Sequence, residues 1–329
     1  MIKIDRGPMP PNLKVYTEKK FKGLNGTAKL TKAEQELEKA MAFFTNPANY
    51  NNNLKITTEK FNFAVYKNPE LSNELERIFG NKCAYCEIDF GGITPKEVEH
   101  FRPKSEIDTD TQPLQPGYFW LAGEWTNLLV SCVDCNRSRN HEVPGQPKKI
   151  RLGKKAQFPL SSEAYRARTQ AALAMEETVR LLLDPCSNDD PEQHLTFKYE
   201  GNDAGLILER ADAQGQPSEK GKASIVVFAL QRKDLVEKRR NRLNDLKFAV
   251  DNLSFYVKNH NDLKTLNAPQ NKLDDNADQI QKVIEEIRKM LRRRAPFQAI
   301  LRGWIREKTQ RGDFANLQQF KIELADLIS

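Results

Sequence analysis

The chain has 329 residues, 39% of them hydrophobic, and a formal net charge of +7, which suffices for one large domain or two ordinary ones with a real core. No run approaches the roughly 18 apolar residues of a membrane span, and the N-terminus MIKIDRGPMPPNLKVY lacks the apolar stretch of a signal peptide, so a globular, cytoplasmic protein is expected and a membrane protein is not. The positive charge is concentrated: residues 136–155 hold seven bases against one acid and residues 279–311 ten against three, a distribution that suits contact with a polyanion at defined places.

Residues 1–30, rich in Pro, Gly and Lys, read as an extended arm. From Thr31, TKAE forms a capping box, and Leu37, Ala40, Met41 and Phe44 make an apolar stripe at helical spacing. NPANYNNN ends that helix, and PELSNELERIFG reads as a second one stopping at Gly80. The stretch 83–160 is turn-rich and dense in Cys, Pro, Gly and Trp, with Trp120 and Trp125 expected in its core. Beyond it, SEAYRARTQAALAMEETVRLLLDP reads as a helix ending at Asp184-Pro185, and LTFKYEGNDAGLILERAD as a hairpin around Gly201-Asn202. LQRKDLVEKRRNRLNDLKFAVDNL and DQIQKVIEEIRKMLRRR read as helices. In the latter Ile280, Val283, Ile284, Ile287 and Leu291 form the buried stripe, with Lys282, Arg288, Lys289, Arg292 and Arg293 facing outward. The expected fold class is α+β, predominantly α-helical: an N-terminal arm and helices over 1–80, a site-bearing core over 81–160, and a helical C-terminal region with a short β-hairpin over 161–329.

Four of the five cysteines fall into two C-x-x-C pairs, Cys83 with Cys86 and Cys132 with Cys135, with 45 residues between the pairs. In a reducing compartment such pairs favour metal over disulfides. Two knuckles giving two thiolates each close a tetrahedral shell, so a structural zinc is expected. Cys186 is left as a free thiol. The loop between the knuckles is longer than in compact zinc ribbons, and the chemistry is expected in the insert.

That insert holds Glu99-His100 in KEVEHF, a segment with strand character, then Asn127 and, with eight residues between, Asn136. The order E-H, N, N wrapped around two C-x-x-C knuckles resembles the HNH family of ββα-metal nucleases, in the variant with asparagine at the third position. The strings CAYCE, VEHFRPKS, YFWLAGEWTNLLVSCVDCN, QFPL, LLLDP and DDPEQHLTF together look like the HNH nuclease component of Septu and retron-associated antiphage systems.

The resemblance implies a metal-dependent endonuclease acting on nucleic acid, with DNA the favoured substrate. It assigns His100 as general base, Asn127 as the residue that bonds across the loop and holds His100 in orientation and tautomer, and Glu99 with Asn136 as ligands of a catalytic Mg²⁺ or Mn²⁺. Glu99 stands where many relatives carry Asp. Arg137, Arg139, Lys148, Lys149, Arg151, Lys154 and Lys155 are expected to contact the nucleic acid. Family resemblance also implies an ABC/SMC-type ATPase partner, and a retron reverse transcriptase with its RNA–DNA product. Asn136 could also cap a helix begun by RSRN. His141 is read as part of a flexible loop, and Asp189, Asp190, Glu192 and His194 mainly as a turn before a strand. The sequence leaves open whether His141, Asp184, Glu192 or His194 joins a metal site. The rival class is a zinc-ribbon nucleic-acid-binding or adaptor module without catalysis.

Overall fold

A computed structural model describes residues 1–51, 55–56, 61–92, 95–109, 112–318, 322, 324 and 326. The first long helix, α1 (Lys32–Phe44), starts where the capping box requires: Glu34 N donates to the Thr31 hydroxyl and Thr31 N to the Glu34 carboxylate. Its buried face is rotated from the expected stripe. Leu37 and Met41 are exposed, whereas Glu36, Ala40 and Phe44 are buried. The reason is polar: the Glu36 carboxylate accepts backbone N–H groups of Ala64 and Val65, which turns that carboxylate into the protein. The segment before it is no free arm, because Met1, Ile2, Ile4 and Leu13 lie in the main core. Helix α2 (Pro69–Ile78) is capped by Asn68 with Pro at its first position and ends before Gly80, whose φ of +64° suits glycine.

The centre of the molecule is an antiparallel pair, β1 (Lys96–His100) and β2 (Leu128–Cys132), in the register Lys96 to Cys132 through His100 to Leu128. Every residue of β2 is buried, as expected of a strand covered on both faces. A single helical turn, α3 (Val133–Asn136), follows directly. The hairpin β3 (Arg139–His141) and β4 (Ile150–Leu152) comes next, so RSRN begins a strand and His141 sits half-buried in a hairpin. Asn136 is the last residue of its turn rather than a cap on a new helix.

After β4 the chain folds back beneath α3. Lys154 N donates to Cys135 O at 2.9 Å and Lys155 N to Asn136 O at 2.6 Å, satisfying two carbonyls at the helix end. Only glycine allows this approach: Gly153 has φ +119°, and a β-carbon there would meet Arg137 O at 2.0 Å.

The helix expected over 162–184 is reduced to α4 (Leu173–Val179), preceded by isolated 3-10 turns. Tertiary bonds override the local preference. Glu176 is fully buried and accepts from Arg102 Nε at 2.7 Å, Tyr118 Oη at 2.6 Å and Ala167 N at 2.8 Å, which ties the segment to the centre as an irregular strap. The hairpin β5 (Leu195–Phe197) and β6 (Ile207–Glu209) forms as read, with a 3-10 turn at Gly201–Asp203. Four helices follow, α5 (Glu219–Val227), α6 (Lys233–Thr265), α7 (Gln270–Leu291) and α8 (Gln298–Gln310), and then a helical turn at Ala315–Gln318. The stripe Ile280, Val283, Ile284, Ile287 and Leu291 is buried as expected. The architecture is thus α+β with long helices and small antiparallel pairs, and none of its described helices is long and apolar enough to cross a membrane.

Candidate active site and metal centre

The sulfurs of Cys83, Cys86, Cys132 and Cys135 all lie within 4.8 Å of one another and are buried. A zinc ion held at about 2.3 Å from each sulfur requires sulfurs about 3.8 Å apart. Cys86 and Cys132 stand at 3.8 Å and the other pairs within 4.8 Å, a spacing that suits a tetrahedral ion. Among the described residues it is the one group of three or more His, Cys, Asp or Glu side chains with metal-binding spacing. The register explains its place: Cys132 ends β2, α3 carries Cys135, and Ala84 N bonds Val130 O at 2.9 Å to bring the first knuckle against the strand.

Arg232, just before α6, covers this cluster. Its guanidinium lies 3.3 Å from Cys86 Sγ, 3.6 Å from Cys135 Sγ and 3.7 Å from Cys132 Sγ, and the side chain is buried. Four thiolates around a divalent ion leave an excess of negative charge, which a buried guanidinium offsets. Sequence patterns gave no signal for this residue.

Beside the metal framework, Glu99, His100 and Asn136 line one cleft of about 640 Å³ together with Tyr66, Glu97, Lys104, Arg137, Arg151 and Lys155. His100 is buried, with its ring edge against Tyr66 at 4.6 Å between centroids. Its Nε2 is 3.0 Å from Ala122 O. A carbonyl only accepts, so Nε2 carries the proton and Nδ1 keeps a lone pair. Burial, then the nearby Lys104 and Lys154 charges, hold the imidazole well below its ordinary titration range and therefore neutral.

Asn127 acts at one remove. Its Oδ1 accepts from Arg102 N at 2.8 Å, and its Nδ2 donates to Arg102 O and Leu121 O, each at 3.1 Å. It clamps the loop that follows His100 against the loop that carries Ala122, while the tautomer is set by Ala122 itself.

The two expected cation ligands have unequal surroundings. Asn136 Nδ2 donates to Glu97 Oε2 at 2.8 Å, and Glu97 also pairs with Arg137. Glu97 was missed, although its position two residues before Glu99 in a strand puts both carboxylates on one face. Glu99 is buried, and the Lys154 ammonium stands 2.6 Å from its Oε1. Burial raises its carboxyl above the ordinary range despite that cation.

Lys154 is completely buried and also donates to His100 O at 2.9 Å, so it braces the site and is no surface contact for nucleic acid. The other expected basic contacts divide. Arg137, Arg151 and Lys155 line the cleft, Arg139 is paired with Asp134 at 2.9 Å, and Lys148 with Lys149 lies toward the exposed tip of the β3–β4 hairpin.

The remaining candidates form ion pairs and caps. His194 lies between Asp189 Oδ1 at 2.6 Å and Ser218 Oγ at 2.8 Å, Glu192 pairs with Arg306 at 2.9 Å, and Asp190 caps a helical turn at Pro191–His194. The Asp184 carboxylate accepts from Cys186 N at 2.8 Å.

No protein-family model matches the chain. Over 189 residues, 57% of this chain and 55% of the relative, it is 40% identical to Septu protein PtuB of Bacillus mycoides (strain KBAB4). Over 195 residues, 57% of this chain and 23% of the relative, it is 26% identical to Septu protein PtuA of the same strain. The chain thus spans about half the length of the first relative and about a quarter of the second. Through more than half of its own residues, the chain is similar to proteins of a Septu system.

Proposed function

We propose that the cleft is the active site of an HNH-type endonuclease that hydrolyses phosphodiester bonds, DNA being the favoured substrate. The observation that carries this reading is the convergence of His100 Nδ1, Glu99 and Asn136 on one cleft rimmed by Arg137, Arg151 and Lys155. His100 Nδ1 takes a proton from water, the water oxygen bonds to phosphorus, and the opposite phosphorus–oxygen bond breaks, its electron pair leaving with the oxygen. Ala122 O stabilises the imidazolium through the Nε2–H it already accepts.

Glu99 and Asn136 would hold a divalent cation. Their all-oxygen character fits Mg²⁺ or Mn²⁺, and the buried Glu99 Oε1 makes no hydrogen bond beyond its ion pair. When bound, such a cation stabilises charge on the phosphate and the leaving oxygen.

The likeness to two Septu proteins supports an effector role in an antiphage defence system with a partner protein, and the motif resemblance makes that partner an ABC/SMC-type ATPase. The retron reverse transcriptase and its RNA–DNA product rest on the motif resemblance alone. The test is purified protein, alone and with its operon partners, on supercoiled plasmid with Mg²⁺ or Mn²⁺. Nicking that His100→Ala abolishes is expected. Absence of such nicking under every condition, with the Cys132→Ser variant unfolded, would instead favour the binding or adaptor module.

A further inference from the structure

Lys104 occupies the space in front of the base. Its Nζ lies 3.3 Å from His100 Nδ1 and 4.4 Å from the centre of the Tyr66 ring, and both neighbours line the cleft. Since Nε2 is committed to Ala122 O, Nδ1 is the nitrogen able to take a proton from water, and an ammonium donating to it engages the same lone pair.

We propose that Lys104 caps His100 Nδ1 in the free protein and transfers its ammonium to a non-bridging oxygen of the bound phosphodiester, so that the substrate uncovers the base. The lysine's two contacts are a neutral ring nitrogen and a ring face. A phosphate oxygen with a full negative charge is a stronger acceptor than either. The other cleft bases are engaged differently: Lys155 stands 3.3 Å from Asp108, Arg137 pairs with Glu97, and Arg151 Nε donates to Ser138 Oγ at 3.0 Å. The face of Tyr66 constrains Lys104 only weakly in direction, so the ammonium can swing while the side-chain stem keeps its packing. No bond is made or broken in the transfer, and Lys104 keeps its proton. Burial lowers its titration point to about 8, leaving it mostly charged at neutral pH.

The inference rests on the cleft being a phosphodiester site, and the experiment separates it from the nuclease reading. Histidine is labelled with ¹⁵N in the full chain without added Mg²⁺ or Mn²⁺. The four histidines allow His100 to be assigned by its loss in His100→Ala. Lys104→Gln is expected to move the Nδ1 resonance, and addition of a short DNA duplex to the unmodified protein should move it in the same direction. In the His100→Ala background, Lys104→Gln should lower the salt slope of duplex binding by about one unit, and Lys104→Arg should restore it.

An Nδ1 signal indifferent to duplex, or a salt slope unchanged in Lys104→Gln, would overturn the proposal. If Lys104→Gln does not fold, the duplex-induced shift in the unmodified protein decides alone. A responsive Nδ1 in a protein that never cleaves plasmid would support the cap and refute the hydrolytic reading.

Discussion

Asn136 Nδ2 donates to Glu97 Oε2 at 2.8 Å, and because a carboxylate only accepts, the amide is obliged to turn its oxygen away from Glu97. Glu97 thereby fixes which atom Asn136 can offer to a cation. In Glu97→Gln that obligation ends, since a neutral amide accepts or donates at either end and pairs poorly with Arg137. Mn²⁺ affinity of the zinc-loaded protein, measured by calorimetry, should fall about tenfold or more, as for other residues that orient a ligand. Equal affinities would remove Glu97 from the site.

Asn127→Ala strands the Arg102 N–H and two carbonyls, those of Arg102 and Leu121, in buried surroundings. The expected loss is about 2–3 kcal/mol, read as a lower melting temperature with unchanged zinc content. Full stability would show that water replaces the clamp.

Arg232→Met keeps the bulk beside the cysteines and removes the charge that faces three sulfurs. Zinc transfer to a colorimetric chelator should accelerate about tenfold or more. Cys132→Ser should abolish stoichiometric zinc and leave the centre of the chain open to protease. An unchanged transfer rate would assign Arg232 to packing alone.

Asp189 provides a pH test. Burial pushes its carboxyl up, but hydrogen bonds from Lys220 and His194 outweigh this and hold it below the ordinary range. A carboxyl depressed by folding contributes stability that is complete above its unfolded value of about 3.9 and is lost as pH falls through the folded one. Asp189→Asn should therefore lower stability at pH 7 by up to about 1 kcal/mol, allowing for solvent screening of this partly exposed group, and the difference should shrink below pH 4. A difference independent of pH would refute the ion-pair account.

The basic residues should separate functionally. Arg151→Ala with Lys155→Ala should weaken duplex binding and flatten its salt dependence by about two units. Lys148→Ala with Lys149→Ala, at the hairpin tip, should change it little. The reverse ranking would move the substrate path away from the cleft.

The cysteine spacing, the capping box at Thr31 and the stripe of α7 were legible because each depends on local chemistry or period. Lys154 was misread because composition places lysines on surfaces, and nothing local reveals that Gly153 turns this one inward. Glu36 likewise draws backbone amides from a distant segment, and Glu176 the side chains of Arg102 and Tyr118, which rotates α1 and shortens the helix expected over 162–184. Arg232 is 97 residues from Cys135, a separation that no local pattern records.

The β3–β4 hairpin divides into an ornamental end and a keystone end. Grafting a tag between Pro144 and Pro147 would lengthen only a solvent-facing turn. One residue added between Gly153 and Lys155 would shift the register beneath α3 and pull the buried ammonium away from Glu99 and from His100 O together, unbracing the cleft while every side chain that lines it stayed in place in the sequence.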